Sequence, residues 1–224
     1  MKRSQINRWL AEAEAFFAAG GFALPPWAHW EPAAWAALGP EGDEIAADGL
    51  GWDVTDFGSG DYDHCGLLLF TLRNGGRGAK PYAEKAMMVK PGQVTPTHFH
   101  HRKTEDIIVR GGGRLVVQLW PAAPDESLGE GPLAVFTDGV RRDLAAGAQV
   151  VLAAGESITL TPRLYHAFWG HPDDGPVLVG EVSAVNDDVG DNRFLQAGGR
   201  FPAVEEDEPA RRLLCTEYDR WRAR

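Results

Sequence analysis

The chain has 224 residues, 44% hydrophobic and 24% charged, which is long enough for an all-β barrel with a substantial core. Its 32 acidic against 22 basic residues give a formal net charge of −10, which argues against an electrostatic nucleic-acid binder and favours a small or neutral partner. Cys65 and Cys215 lie far apart without a C-x-x-C spacing, so neither a disulfide framework nor a cysteine zinc site is indicated.

The opening MKRSQINRWLAEAEAFF has an acidic residue every few positions and no long apolar run, so it does not read as a signal peptide. No stretch reaches membrane-spanning length, and a cytoplasmic protein is expected. With Ser4 as N-cap, Ile6, Trp9, Leu10, Ala13, Phe16 and Phe17 recur at helical spacing until Gly20-Gly21 stops the run. Leu24-Pro25-Pro26 forces an extended segment. A second short helix is expected over Glu31 to Leu38, with Pro32 near its start. Trp27, Trp30 and Trp35 crowd this region and read as helix-to-barrel packing or an oligomer contact.

From Leu50 the pattern changes to strands and turns. Strands are expected at Gly51 to Phe57, Leu67 to Leu72 before Asn74-Gly75-Gly76, and Ala86 to Val89 before the turn at Pro91-Gly92. Further strands follow at Leu115 to Trp120, Leu133 to Phe136, Val150 to Leu152, Ser157 to Thr161, Tyr165 to Trp169 and Val177 to Val185. Many short strands spaced by Gly and Pro turns predict a mainly β protein, an antiparallel sandwich or barrel. The expected organisation is one domain, 1–224, with a helical N-terminal extension over 1–45, a barrel over 50–186, and a C-terminal segment and helix over 187–224. That helix is expected over Ala210 to Arg224, and the acidic run Glu205 to Glu208 reads as a solvated face.

The chemistry concentrates in Gly92 to Gly112. His98 and His100 are two residues apart on a predicted strand, so both point to one face. Glu105 closes on them once the polar stretch Arg102-Lys103-Thr104 turns the chain. Two imidazoles and a carboxylate suit Mn, Fe(II), Co, Ni or Zn. A fourth ligand is needed, and His166 in the apolar-aromatic run Tyr165 to Trp169 is the candidate, since a buried imidazole needs a partner. His101 points to the opposite face and is a poor fellow ligand, His171 lies beyond Gly170 in a loop and stays a reserve candidate, and His29 and His64 have no chemical company and read as structural.

These residues resemble the cupin superfamily. Its first motif, G-x5-H-x-H-x4-E-x6-G, is met by Gly92, His98, His100, Glu105 and Gly112. Its second, G-x5-P-x-G-x2-H-x3-N, is met at Gly155 and His166, with the proline one place late at Pro162, Arg163 in the glycine position and Gly170 in place of the asparagine. A closer resemblance covers nearly the whole chain. MKRSQIN…AEAFF, EKAMMVKPGQVTPTHFHHRKTEDIIVRGGG, YHAFWG and GEVSAVNDD…DNRF resemble the D-lyxose isomerase family. The resemblance implies a cupin β-barrel, a Mn2+ site (with Co2+, Zn2+ or Fe2+ as substitutes) held by His98, His100, Glu105 and His166, and a homodimer. It also implies interconversion of D-lyxose with D-xylulose and D-mannose with D-fructose.

Such an isomerisation needs a base that moves a proton between C2 and C1. Lys85, Lys103 and Glu181 are the catalytic candidates. Lys85 alternates with Met87 and Val89 and Glu181 with Val177 and Val179, while Lys103 sits in the metal motif. Lys85, Lys103, Asp187, Arg193 and Glu206 are candidates for substrate hydroxyls. Two other readings stay open: a metal-dependent dioxygenase, because the same ligand set suits oxygen chemistry, and a non-catalytic sugar-binding module.

Overall fold

The computed structural model describes residues 1–75, 80–196, 198–199 and 201–221. Three helices come first: α1 (Arg3–Ala19), α2 (Pro32–Ala37) and α3 (Asp43–Ala47). The strands β1 (Gly51–Thr55), β2 (Leu67–Arg73), β3 (Tyr82–Val89), β4 (Val94–His100), β5 (Glu105–Gly112), β6 (Leu115–Pro121) and β7 (Leu133–Thr137) follow. Then come β8 (Val140–Leu144), β9 (Gln149–Leu152), β10 (Ser157–Leu160), β11 (Leu164–Gly170), β12 (Val177–Ala184) and β13 (Asn192–Phe194), and a last short helix α4 (Tyr218–Trp221). One sheet runs β1-β2-β3-β12-β5-β10-β7-β8 and the other β13-β4-β11-β6-β9. The ladders between these strands are antiparallel, as expected of a cupin-type barrel made of two facing sheets.

The interior is filled from both sheets by Leu69, Met87, Ile107, Val117, Val135 and Val179, among others. The other face of β1-β2-β3 is covered as well. Ile6, Trp9, Leu10, Ala13 and Phe17 form one stripe of α1 and pack on Trp52, Val54, Leu68, Phe70, Ala86 and Met88. A sheet buried on both faces explains why β2 and β3 read as apolar runs rather than as alternating patterns. The tryptophans serve packing within the chain. Trp27 lies 4.8 Å from Phe70 and Trp35 lies 4.4 Å from Tyr218, ring centre to ring centre.

Two terminal expectations are corrected. Helix α1 begins at Arg3, so Ser4 is not its cap; Ser4 donates its N–H and its hydroxyl to Asp207 at 2.9 and 2.7 Å. The acidic run Glu205 to Glu208 is exposed, as expected, but its carboxylates also tie down the start of α1. Arg3 is clamped by Glu206 and Glu217, and Asn7 donates to Glu208 at 2.6 Å. Asp207 takes a first-turn N–H at the positive end of the helix dipole, while Glu206, Glu217 and Glu208 meet side chains of α1. The tail is not one helix. The Cys215 N–H bonds the Trp52 carbonyl at 2.8 Å and Leu213 and Leu214 are buried, so the chain is extended there and helical only over Tyr218–Trp221. Residues 222–224 of the expected helix, and Gly76 of the expected turn, lie outside the described residues.

Two strands were not anticipated. Val140–Leu144 is almost wholly exposed and carries no apolar alternation. Asn192–Phe194 is three residues long, yet it extends the five-stranded sheet beyond residue 186 by pairing with β4. Among the described residues, no helix is long and apolar enough to cross a membrane.

Candidate active site

The site is set by strand register. β4 and β11 are neighbours with His98 opposite His166, and His100 follows on the same face of β4. One ring nitrogen of each of the three imidazoles lies within 4.8 Å of the others. His98 Nδ1 and His166 Nδ1 donate to the carbonyls of Pro96 and Leu164, at 2.8 and 3.0 Å, which fixes both rings with Nε2 as the free acceptor. Glu105 opens β5, with its carboxylate oxygens 3.2 Å from His166 Nε2 and 3.3 Å from His100 Nε2. Neither approach has hydrogen-bond geometry. His166 Nε2 and both nitrogens of His100 are buried without a hydrogen-bond partner in the protein. Buried polar atoms are normally paired, and lone pairs left over at one point suit a shared cation. Burial, reinforced by the neighbouring imidazoles, holds His98 well below the usual histidine range, and burial also lowers His100. Both are thus neutral, the form that binds a metal.

Beside the imidazoles runs a buried chain of alternating charge. Glu181 on β12 faces Lys85 on β3 across the ladder. Lys85 Nζ is 3.1 Å from the Glu181 carboxylate and 2.7 Å from Asn186 Oδ1. Lys103 Nζ is 2.9 Å from Glu181 and 2.7 Å from Glu105. Burial alone pushes both carboxyls up, but Lys103 acts against it, joined by His100 at Glu105 and by Lys85 at Glu181. Glu105 is held well below the usual carboxylate range and Glu181 is lowered. Burial likewise works against the Lys103 ammonium, and Glu105 and Glu181 more than reverse it. All three groups are therefore ionised. The turn that brings Lys103 here is held by Asp191, which accepts the N–H groups of Arg102 and Lys103 at 2.8 and 3.0 Å.

Six of the ten candidate residues, Lys85, Lys103, Glu105, Glu181, His98 and His100, line one cavity, with about 460 Å³ of empty space including its open mouth. His166 lies at its wall, in contact with Glu105. Three candidates lie elsewhere. Arg193 sits on β13 opposite Phe99, so it points away from the cavity and bonds Glu126 at 2.8 Å. Asp187 accepts the N–H groups of Val189 and Gly190 in a turn and meets Arg102. Glu206 is committed to Arg3. Alternation along β13 supplies the replacements. Asn192, opposite His100, and Phe194, opposite His98, face inward, and Phe194 stacks on the His98 ring at 5.1 Å. Asn186, Asp188 and Thr95 also line the cavity. The alternation in Asn192-Arg193-Phe194 was the available signal for two of these residues; nothing local marks Asp191.

The remaining histidines are structural or peripheral. His29 meets Glu14, His64 meets Asp61, His171 meets Arg114, and His101 stacks edge-on with Phe99. The altered turn before His166 is intact. Arg163 takes the left-handed backbone (φ +63°) that the glycine position requires, and its N–H bonds the His100 carbonyl at 2.9 Å.

Two facing antiparallel sheets around an inward cluster of three imidazoles make this protein a cupin with a site fitted to a divalent metal. Solved L-ribose isomerases share the fold. That of Acinetobacter sp. DL28 superposes with a TM-score of 0.61 at 20% identity, and that of Cellulomonas parahominis with 0.60 at 22%, each covering 92% of this chain and 98% of its own. A profile of the D-lyxose isomerase family matches residues 1–218. The D-lyxose/D-mannose isomerase of Serratia proteamaculans is 52% identical over 226 residues, covering 99% of both chains. That of Escherichia coli O157:H7 is 50% identical over 227 residues, covering 99% of this chain and all of its own. The chain belongs to the D-lyxose isomerase family.

Proposed function

We propose that the protein is a metal-dependent aldose-ketose isomerase that interconverts D-lyxose with D-xylulose and D-mannose with D-fructose. The observation that carries this reading is the juxtaposition of an ionised carboxylate between two ammonium groups with the imidazole cluster, inside one cavity. His98, His100, His166 and Glu105 would hold the metal, Mn2+ by family resemblance, with Co2+, Zn2+ or Fe2+ as substitutes. Bound there, the ion would act as a Lewis acid and template for the sugar's carbonyl end.

The chain's own groups account for the proton movements. Glu181 takes the proton from C2 of the open-chain aldose and returns it to C1, passing through a cis-enediol. The accompanying proton shift from O2 to O1 falls to Lys103, whose ammonium lies between Glu105 and Glu181. Lys85, tied to Asn186, holds Glu181 from the other side and stabilises negative charge on the enediol oxygens. Asp188 and Asn192 are placed to accept and donate to the sugar's hydroxyls. Phe57, Phe168 and Phe194 give the same cavity an apolar lining, with Phe194 stacked on the His98 ring.

The deciding experiment is an anaerobic sugar panel on chelator-stripped protein, with Mn, Co, Zn and Mg restored separately. Conversion of D-lyxose to D-xylulose without oxygen supports the isomerase and eliminates the dioxygenase reading. Binding of pentoses without turnover for every metal overturns it in favour of a sugar-binding module. Deuterium at C2 that exchanges with solvent supports proton transfer, and full retention at C1 supports a hydride shift. The reading includes a homodimer, as the resemblance implies, and a cytoplasmic location; light scattering and cell fractionation test these two points.

A further inference from the structure

Strand β4 carries an irregularity that no spacing rule anticipates. His98 lies opposite His166 and Thr95 opposite Phe168, so three steps on β4 answer two on β11. The extra residue falls beside Pro96, which has no N–H to give to a ladder and is tolerated at such a bulge. The bulge changes which face Thr95 meets. In a regular strand, a residue three places from His98 points away from it. Here Thr95 lines the same cavity as His98 and His100.

The hydroxyl delivered there is unusual. Thr95 is only 3% exposed, and its Oγ1 has no hydrogen-bond partner in the protein. Its pairing with Phe168 places it on the apolar side of the cavity, with Phe57, Leu67, Leu69 and Phe194. A valine has nearly the same shape and would pack against these side chains without burying an unpaired polar atom. An unpaired buried hydroxyl on a residue that lines a binding cavity is explained by a partner that arrives with the ligand. At about 3.3 Å per residue, Thr95 lies up to about 10 Å along β4 from His98, on the scale of a short sugar chain laid along the strand.

We infer that Thr95 is a substrate-binding residue that reads the far end of the sugar: its hydroxyl pairs with the hydroxyl on C5 of the pentose while the imidazole cluster engages the carbonyl end. This inference rests on the isomerase reading and deepens it. Thr95 sets which sugars are accepted, and Lys103 and Glu181 set what is done to them.

The test compares D-lyxose with 5-deoxy-D-lyxose on Mn2+-loaded protein, Thr95→Val and Thr95→Ser. The unsubstituted protein is expected to prefer D-lyxose by about 3- to 10-fold in kcat/KM, the worth of one neutral hydrogen bond. In Thr95→Val, kcat/KM for D-lyxose falls by that factor, mainly through KM. The value for 5-deoxy-D-lyxose stays put, so the preference disappears. Thr95→Ser keeps it. Comparing substituent and side chain in one cycle separates direct contact from a structural role, which would lower both sugars together. A preference that persists in Thr95→Val, or an equal loss on both sugars, overturns the inference and leaves the isomerase reading standing. No turnover of D-lyxose by the unsubstituted protein overturns both.

Discussion

Replacing Glu181 with Gln tests the electrostatic logic of the site. Glu181 is 5% exposed and accepts from Lys85 at 3.1 Å and from Lys103 at 2.9 Å. Removing one partner of a buried ion pair costs about 3–5 kcal/mol, because the other charge is left uncompensated. The structure places this case at the lower end. Lys103 keeps Glu105 at 2.7 Å, Lys85 keeps Asn186 at 2.7 Å, and the new amide oxygen still accepts one bond. The expected loss is therefore about 2–3 kcal/mol. Lys85 bears most of it, since it has no second carboxylate within hydrogen-bond reach among the described residues. Adding Lys85→Met removes the stranded charge and should restore about 1–2 kcal/mol. Urea denaturation of chelator-treated protein, read as a shift of midpoint at constant slope, measures Glu181→Gln, Lys85→Met and the double variant. Turnover of the metal-loaded Glu181→Gln protein should fall by about 10²- to 10⁴-fold, as for loss of a general base. A Glu181→Gln protein within about 0.5 kcal/mol of the parent, or a double variant whose losses simply add, would refute the reasoning.

Other outcomes follow from the same coordinates. Mn2+ at about 100 times its dissociation constant should stabilise the stripped protein by about 2.7 kcal/mol, or about 5–10 °C in Tm, and His100→Ala should abolish the shift in a thermal melt. Arg3→Met strands Glu206 and the buried Glu217, so it should cost about 3 kcal/mol and speed amide exchange in the first turns of α1. Leu10→Ala opens the interface between α1 and the sheet and should cost about 2–5 kcal/mol by the same denaturation assay. Burial pushes Glu14 up, yet Arg212, His29 and Arg211 together hold it below its ordinary 4.5. The unfolded chain therefore binds the extra proton. The stabilisation is complete above about pH 5 and is lost as pH falls from there through the lowered folded value. Glu14→Gln should flatten the pH dependence of the denaturation midpoint in that acid window and leave its slope near neutrality unchanged.

What the sequence discloses depends on whether the cause is local. The H-x-H spacing puts two imidazoles on one strand face by geometry alone, and alternation with Met87, Val89, Val177 and Val179 correctly turns Lys85 and Glu181 inward. Helix α1 is legible because its stripe repeats at the helical period. The last forty residues are not, because their contacts are distant ones. Glu206, Asp207 and Glu208 are an exposed charge run, but nothing local shows that they also bond the start of α1, some two hundred positions away. Arg193 looks like a sugar-binding cation until the pairing of β13 with β4 turns it outward and Asn192 inward. Thr95 is hidden for a different reason, since a bulge breaks the period-two count on which strand reading depends.

The contribution of β13 and Asp191 has a consequence for biosynthesis. The imidazole pair and the carboxylate are all made before residue 106, but the third ring waits for β11, and the strut under Lys103 waits for residue 191. A nascent chain halted near residue 150 has the His-x-His strand without either of its ladder partners, β11 and β13. A cation that these imidazoles could hold would find all three only once about three-quarters of the polypeptide, through His166, is available, so its capture would follow the assembly of the barrel.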